Sequence, residues 1–303
     1  MINHALLLAA SPSLPSPTAT VHLFAPLVLI ERASMAIPTQ RELDLELLAA
    51  AENGSAQDLV HLLDQRAEVD AVDTNRSTPL HHASENGHLQ CIELLLDRQA
   101  NFDPVDRDYM TPLHHASESG HLQCIELLLD RYAYVNAAGY DGMTPLHHAS
   151  ESGHRQCAEL LLDRRADPNA ANPKGVTPLH HAALCGHHQC IELLLDRRAD
   201  PNAANPQGVT PLHHASLCGH HQCIELLLDR RATVNAANSK GVTPLHHAAV
   251  YSRYQCIELL IDHGADRSIT DVRHGSMPLY REIPQNLDWI EPLADQRHCV
   301  CPE

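Results

Sequence analysis

Two periodic ladders of side chains could do chemistry. The string Thr-Pro-Leu-His-His-Ala begins at Thr78, Thr111, Thr144, Thr177, Thr210 and Thr243, at a constant interval of 33 residues. A second string, Gln-Cys-(Ile/Ala)-Glu-Leu-Leu, follows each time and places thiols at Cys91, Cys124, Cys157, Cys190, Cys223 and Cys256. Histidine and cysteine bind zinc, move protons and carry redox chemistry. A chain with 25 His and 10 Cys therefore raises metal binding and thiol chemistry first.

The spacing argues against both. Adjacent histidines on a helix, such as His81 and His82, point about 100° apart, so one ion cannot easily take the pair. Equivalent histidines on packed helices sit about 8–10 Å apart, whereas zinc lies about 2.0–2.1 Å from each imidazole nitrogen. The same interval exceeds the roughly 4.4–6.8 Å between the Cα atoms of a disulfide. The six periodic cysteines are thus expected to be free, buried thiols, suited to a reducing compartment. Cys185 and Cys218 differ, because each precedes a glycine at a surface-type position. Cys299 and Cys301 form only a weak Cys-x-Cys signal. No metal and no cofactor is expected.

Catalysis is disfavoured on similar grounds. There is no Gly-x-Ser-x-Gly, no phosphate loop, no His-Glu-x-x-His and no Cys-x-x-Cys. Six near copies of one unit would give six copies of any site, whereas a catalytic pocket needs different groups converging. Composition removes further classes. The 303 residues carry 21 Lys plus Arg against 38 Asp plus Glu, a net charge of −17, and the only lysines are Lys174 and Lys240. Such a chain is a poor polyphosphate binder, so no nucleic-acid partner is expected. Aromatic residues at 3% offer no stacking platform for bases. Hydrophobic residues at 44% can fill a core. No apolar run reaches the roughly 20 residues of a membrane span.

The elements that position the ladders can be read from one unit. Thr78 can cap a helix and Pro79 suits its first position, where no amide bond is lost. Leu80 and Ala83 share a face of that helix, and Gly87 can end it. A second helix starts near Leu89 and carries Cys91, Ile92, Leu94, Leu95 and Leu96. That stripe is too wide for one neighbour and suits a helix pair held between two others. Both helices are shorter than the roughly 12–15 residues that are marginal alone, so stacking must stabilise them. The connecting segment, as in Asn169-Ala-Ala-Asn-Pro-Lys-Gly175, reads as a tight turn or hairpin finger.

A 33-residue unit with Thr-Pro-Leu-His, then Gly-His, then Leu-Leu-Leu resembles the ankyrin repeat. The resemblance implies an all-α solenoid of stacked helix-turn-helix units with short β-hairpin fingers. Fingers and inner helices would line a concave binding face, and the first His of each pair would tie turn to helix. The family usually has Gly before the Ala that ends the second helix. Here Arg66, Gln99, Tyr132, Arg165, Arg198 and Arg231 take that position, and only Gly264 matches. If the site is left-handed, each non-Gly residue costs on the order of 1 kcal/mol.

The expected organisation is a low-charge, Pro-rich, disordered leader over 1–38 and an N-terminal capping repeat over 41–72. Six repeats follow, at 73–105, 106–138, 139–171, 172–204, 205–237 and 238–270. A degenerate capping repeat over 271–295 and a tail over 296–303 end the chain. Met35 is a possible alternative start. The leader lacks the basic first region of a secretory signal.

Recognition must sit where the repeats differ. The first helices end in Glu85-Asn86, Glu118-Ser119 and Glu151-Ser152 in the first three repeats. In the last three they end in Leu184-Cys185, Leu217-Cys218 and Val250-Tyr251. The expected partner site is that apolar row together with the finger residues Tyr109, Met110, Tyr140, Met143, Lys174 and Lys240. The functional expectation is a monomeric, intracellular interaction scaffold or adaptor, in cytoplasm or nucleus, binding a protein or peptide. Alternatives are a substrate-recruiting subunit of a ubiquitin ligase and a metal-binding or redox protein using the ladders. Packed neutral imidazoles predict lower stability near pH 5–6.

Overall fold

Each unit begins with the same cap. Thr78 has extended backbone dihedrals, and Pro79 opens the helix without an N–H to lose. His81 folds back so that its Nδ1 accepts the Thr78 backbone N–H at 3.0 Å. The identical bond recurs from Thr111 to His114, Thr144 to His147, Thr177 to His180, Thr210 to His213 and Thr243 to His246. A ring nitrogen that accepts a backbone N–H carries no proton, so the proton sits on Nε2. There it donates to the next unit's finger: His81 to the Met110 carbonyl at 3.1 Å, His147 to Val176 at 3.1 Å, His213 to Val242 at 3.1 Å.

The computed structural model describes residues 38–270. The expected leader, apart from Pro38, and the expected C-terminal cap and tail lie outside the described residues. The chain divides after Glu42 into two compact units. Of the first, only 38–42 is described, where the Thr39 N–H donates to Glu42 at 2.9 Å.

Fourteen helices are described, in order α1 (Gln40–Glu52), α2 (Ala56–Asp64), α3 (Pro79–Glu85), α4 (Leu89–Asp97), α5 (Pro112–Ser119), α6 (Leu122–Asp130) and α7 (Pro145–Glu151). These continue as α8 (Arg155–Asp163), α9 (Pro178–Cys185), α10 (His188–Asp196), α11 (Pro211–Cys218), α12 (His221–Asp229), α13 (Pro244–Val250) and α14 (Tyr254–Asp262). From α3 onward the odd-numbered helices pack side by side as an inner row and the even-numbered ones as an outer row. Between the rows lies one continuous core, to which each repeat contributes fully buried residues such as Leu80, Ala83, Cys91, Ile92 and Leu95. No isolated pair could bury both of its faces, so the core exists only through stacking.

The second helices end as the departures from the ankyrin pattern predict. Arg66, Gln99, Tyr132, Arg165, Arg198 and Arg231 all have φ between 66° and 72°. The following amide reaches back to close the helix, as from Ala100 to Leu95 at 3.0 Å. Six side chains thus occupy a conformation that glycine adopts without penalty.

Two further ties run between units. His88 donates from Nε2 to the Glu52 carbonyl at 3.0 Å, and His121, His154, His187 and His220 repeat the bond one unit on. The ring lies against the preceding unit's glycine: a Cβ at Gly54 would come within 2.5 Å of His88. Gly54 also has φ +73°, so no larger residue fits. The Asn169 carboxamide accepts the Asp200 N–H at 2.7 Å and donates to the Arg198 carbonyl at 3.1 Å. Asn202 and Asn235 make the same two bonds to the next unit. On the outer side, exposed ion pairs such as Arg131–Asp97 at 3.1 Å link neighbours, and exposed pairs contribute little.

The expected β-hairpin fingers are tight turns, and no strand occurs among the described residues. Each turn is closed by a bond such as Asn172 N–H to the Val176 carbonyl at 3.0 Å. Successive fingers touch through one backbone bond where the sequence allows it: Arg107 to Asn75, Tyr140 to Asp108 and Ser239 to Gln207. Pro173 and Pro206 hold the equivalent positions in the fourth and fifth repeats and have no N–H to give. A continuous ladder is therefore interrupted in its middle.

Candidate partner-binding face

The fingers and the inner-helix ends are where the repeats stop being copies. In the second repeat the Asp106 carboxylate accepts the Asp108 and Met110 amides at 2.9 Å and shapes the turn. Its other oxygen contacts His115 Nε2 at 3.0 Å. Burial pushes the Asp106 carboxyl up, but the bonds from His115 and Met110 outweigh it and hold it below the usual range. In the fourth repeat Asn172 caps the same amides at 3.0 and 2.9 Å. Being a carboxamide, it offers the following histidine no charge.

The tips of the second and third fingers bring two predicted residues together. Tyr109 and Tyr140 stack with ring centroids 6.2 Å apart and planes 30° apart. Tyr109 is 53% and Tyr140 80% exposed. Lys174 is exposed on the next finger and Lys240 is half-buried. Met143 is a correction. It is 2% exposed, because it fills the finger-base position that buried Val176 and Val242 occupy elsewhere. Met110, at the same position, is half-buried.

The apolar row also needs correcting. Val250 and Cys218 are buried, at 3% and 8% exposure, and Leu184, Leu217 and Tyr251 are only half-exposed. Side-by-side packing of α9, α11 and α13 covers much of their ends. Two of the row's carbonyls are also structural acceptors, Leu184 for His220 at 3.1 Å and Leu217 for Arg253 at 3.5 Å. Cys185, half-buried, is disulfide-bonded rather than a free thiol. What the row offers a partner is therefore narrower than six exposed side chains.

Exposed aromatics escaped the sequence reading. Tyr132 is 84%, Tyr134 62% and Phe102 42% exposed, all at the junctions around the second and third repeats. The signal was present in the 33-residue register. Tyr134 sits where other repeats carry Asn101, Asp167 or Asp200.

The ladders are structural. Burial, with smaller contributions from neighbouring rings, lowers His81, His114, His180 and His213 to about 4 and His147 to about 3. Burial pushes the Cys124, Cys157, Cys190 and Cys256 thiols up to about 11 and Cys223 to about 12, far from a reactive thiolate. Ligand atoms of His81, Asp106 and His115 do lie within 4.8 Å of one another. Yet His81 Nδ1 caps Thr78 and Nε2 donates to Met110. Coordination through Nε2 would break the tie to Met110, and coordination through Nδ1 the cap on Thr78, so the cluster does not fit a metal without losing a structural bond.

The stacked pairs, the Thr-to-His caps and the left-handed helix ends define a class of helical repeat protein. A family model for ankyrin repeats matches residues 47–139, 133–205 and 197–271, and the chain belongs to the ankyrin repeat family. Among solved structures it is similar to the human ASB11 ankyrin repeat domain, at 30% identity and a TM-score of 0.67. That match covers 73% of this chain and 98% of the other. No curated protein matches significantly. Ankyrin repeats bind protein partners and are typically non-catalytic. No helix among the described residues is long and apolar enough to cross a membrane.

Proposed function

We propose that the chain is a non-catalytic scaffold or adaptor that holds a protein or peptide partner on the face made by its fingers and inner helices. We read 41–72 as its capping repeat, 73–270 as six repeats, and the working form as an intracellular monomer. The observation that carries this reading is a division of labour among side chains. Those that recur every 33 residues are consumed by ties between units, whereas those that vary, such as Tyr109, Tyr140 and Lys174, are exposed. A surface already ordered by its own ties loses little freedom on binding. The redox and metal alternatives lose support from the raised thiols and the occupied His81 ring. A substrate-recruiting role would need a second contact outside the array.

The test is cross-linking of the intact chain to its captured partner, followed by peptide mapping. Cross-links at fingers and inner-helix ends are expected. Cross-links confined to outer-row residues such as Glu93 and Asp97 would overturn the reading.

A further inference from the structure

We propose that the second and third fingers form a receptor for a single arginine side chain in an extended segment of the partner. This rests on the scaffold reading and adds the partner's chemistry. Three observations converge. Tyr109 and Tyr140 stack and remain largely exposed, presenting an aromatic face to solvent. Exposed Asp108 directly precedes one ring and exposed Asp141 directly follows the other. The Tyr140 N–H to Asp108 carbonyl bond, at 2.8 Å, holds the two fingertips in register.

The turn is also strained. Tyr109 has φ +59°, at the position where four later fingers place Gly142, Gly175, Gly208 and Gly241. A bulky residue there is a conformational outlier costing on the order of 1 kcal/mol. Its ring is not repaid by burial, since it is more than half exposed. Arg76, at the same position of the first finger, has φ +63°, so the turn takes this conformation even without glycine, and Tyr109→Gly can relieve it.

A guanidinium fits what is offered. It stacks flat on a tyrosine face while its N–H fork reaches a carboxylate, a combination an ammonium cannot copy. The chain's net charge of −17 favours a cationic partner. Arg107, two residues before Tyr109, and Lys174, on the finger after that of Tyr140, are themselves exposed. They disfavour a polybasic tract and leave room for one arginine with uncharged neighbours.

The test is selection of a random dodecapeptide library on the intact chain, followed by affinity measurement of the recovered peptides. A recurrent single arginine is expected. Its replacement by lysine, and separately Tyr140→Ala in the protein, should each weaken binding about tenfold. Tyr109→Gly should weaken binding similarly while raising the melting temperature, which shows that the loss is not unfolding. Peptides without arginine, or binding indifferent to both tyrosine changes, overturn the inference. If such peptides still cross-link to fingers and inner helices, the scaffold reading stands alone. Recovery of no peptide counts against both.

Discussion

The first two fingers are shaped by carboxylates and the last three by carboxamides. Asp73 and Asp106 hold the turns of the first two repeats, and Asn172, Asn205 and Asn238 those of the last three, with nearly the same backbone. The difference falls on the second histidine of each pair. His82 and His115 lie 3.3 and 3.0 Å from those carboxylates. His214, in the fifth repeat, is buried with an Nε2 that has no hydrogen-bond partner. The junctions differ in the opposite sense. Asp103 accepts the Tyr134 N–H at 2.9 Å but has no donor for the Tyr132 carbonyl, whereas Asn169 makes both bonds. One backbone plan thus tolerates two chemistries: the acidic one gains a histidine contact at its fingers and loses a tie at its junction.

Acid should have the largest effect, and it should act along the whole array. His81, His114, His147, His180 and His213 have folded values lowered to about 4 or about 3. A lowered histidine is neutral when folded, so its contribution is complete above the unfolded value near 6.5. It is lost as pH falls from there toward about 4. At pH 5.5 each costs about 1 kcal/mol and the five together on the order of 5 kcal/mol. The melting temperature should therefore drop steeply between pH 7.5 and pH 5.5, and a flat profile would contradict neutral buried rings. Burial also holds His214 well below its ordinary value. Asn205→Asp gives that ring the carboxylate that His115 already has, and should raise the melting temperature more at pH 5.5 than at pH 7.5.

The junction comparison predicts smaller effects of opposite sign. Asn169→Asp removes the donor to the exposed Arg198 carbonyl and should cost about 1 kcal/mol in a denaturant melt. Asp103→Asn supplies a donor opposite Tyr132 and relieves a carboxyl that burial pushes up. It should stabilise by about 1 kcal/mol. Smallest is Arg198→Gly, which removes a left-handed non-glycine residue and should stabilise by up to about 1 kcal/mol.

Much of this was legible in the sequence because the repeat announces it. Thr78, Pro79 and Gly87 mark one helix, and the departures at Arg66 through Arg231 marked the left-handed ends. The tie from His88 to the preceding unit was not legible, because it joins residues 36 apart through a backbone carbonyl. The apolar row misled for a related reason. Val250 looks exposed at a helix end until the neighbouring inner helix is placed beside it. The tyrosine pair was half legible: both residues were candidates, but their stacking depends on how adjacent fingers register.

The most direct measurement is amide hydrogen exchange of the intact chain, free and with its partner bound. Slowed exchange concentrated in residues 106–110, 139–143 and 172–176 is the predicted result. Slowing confined to the outer-row helices α4, α6 and α8, with the fingers unchanged, would contradict the account.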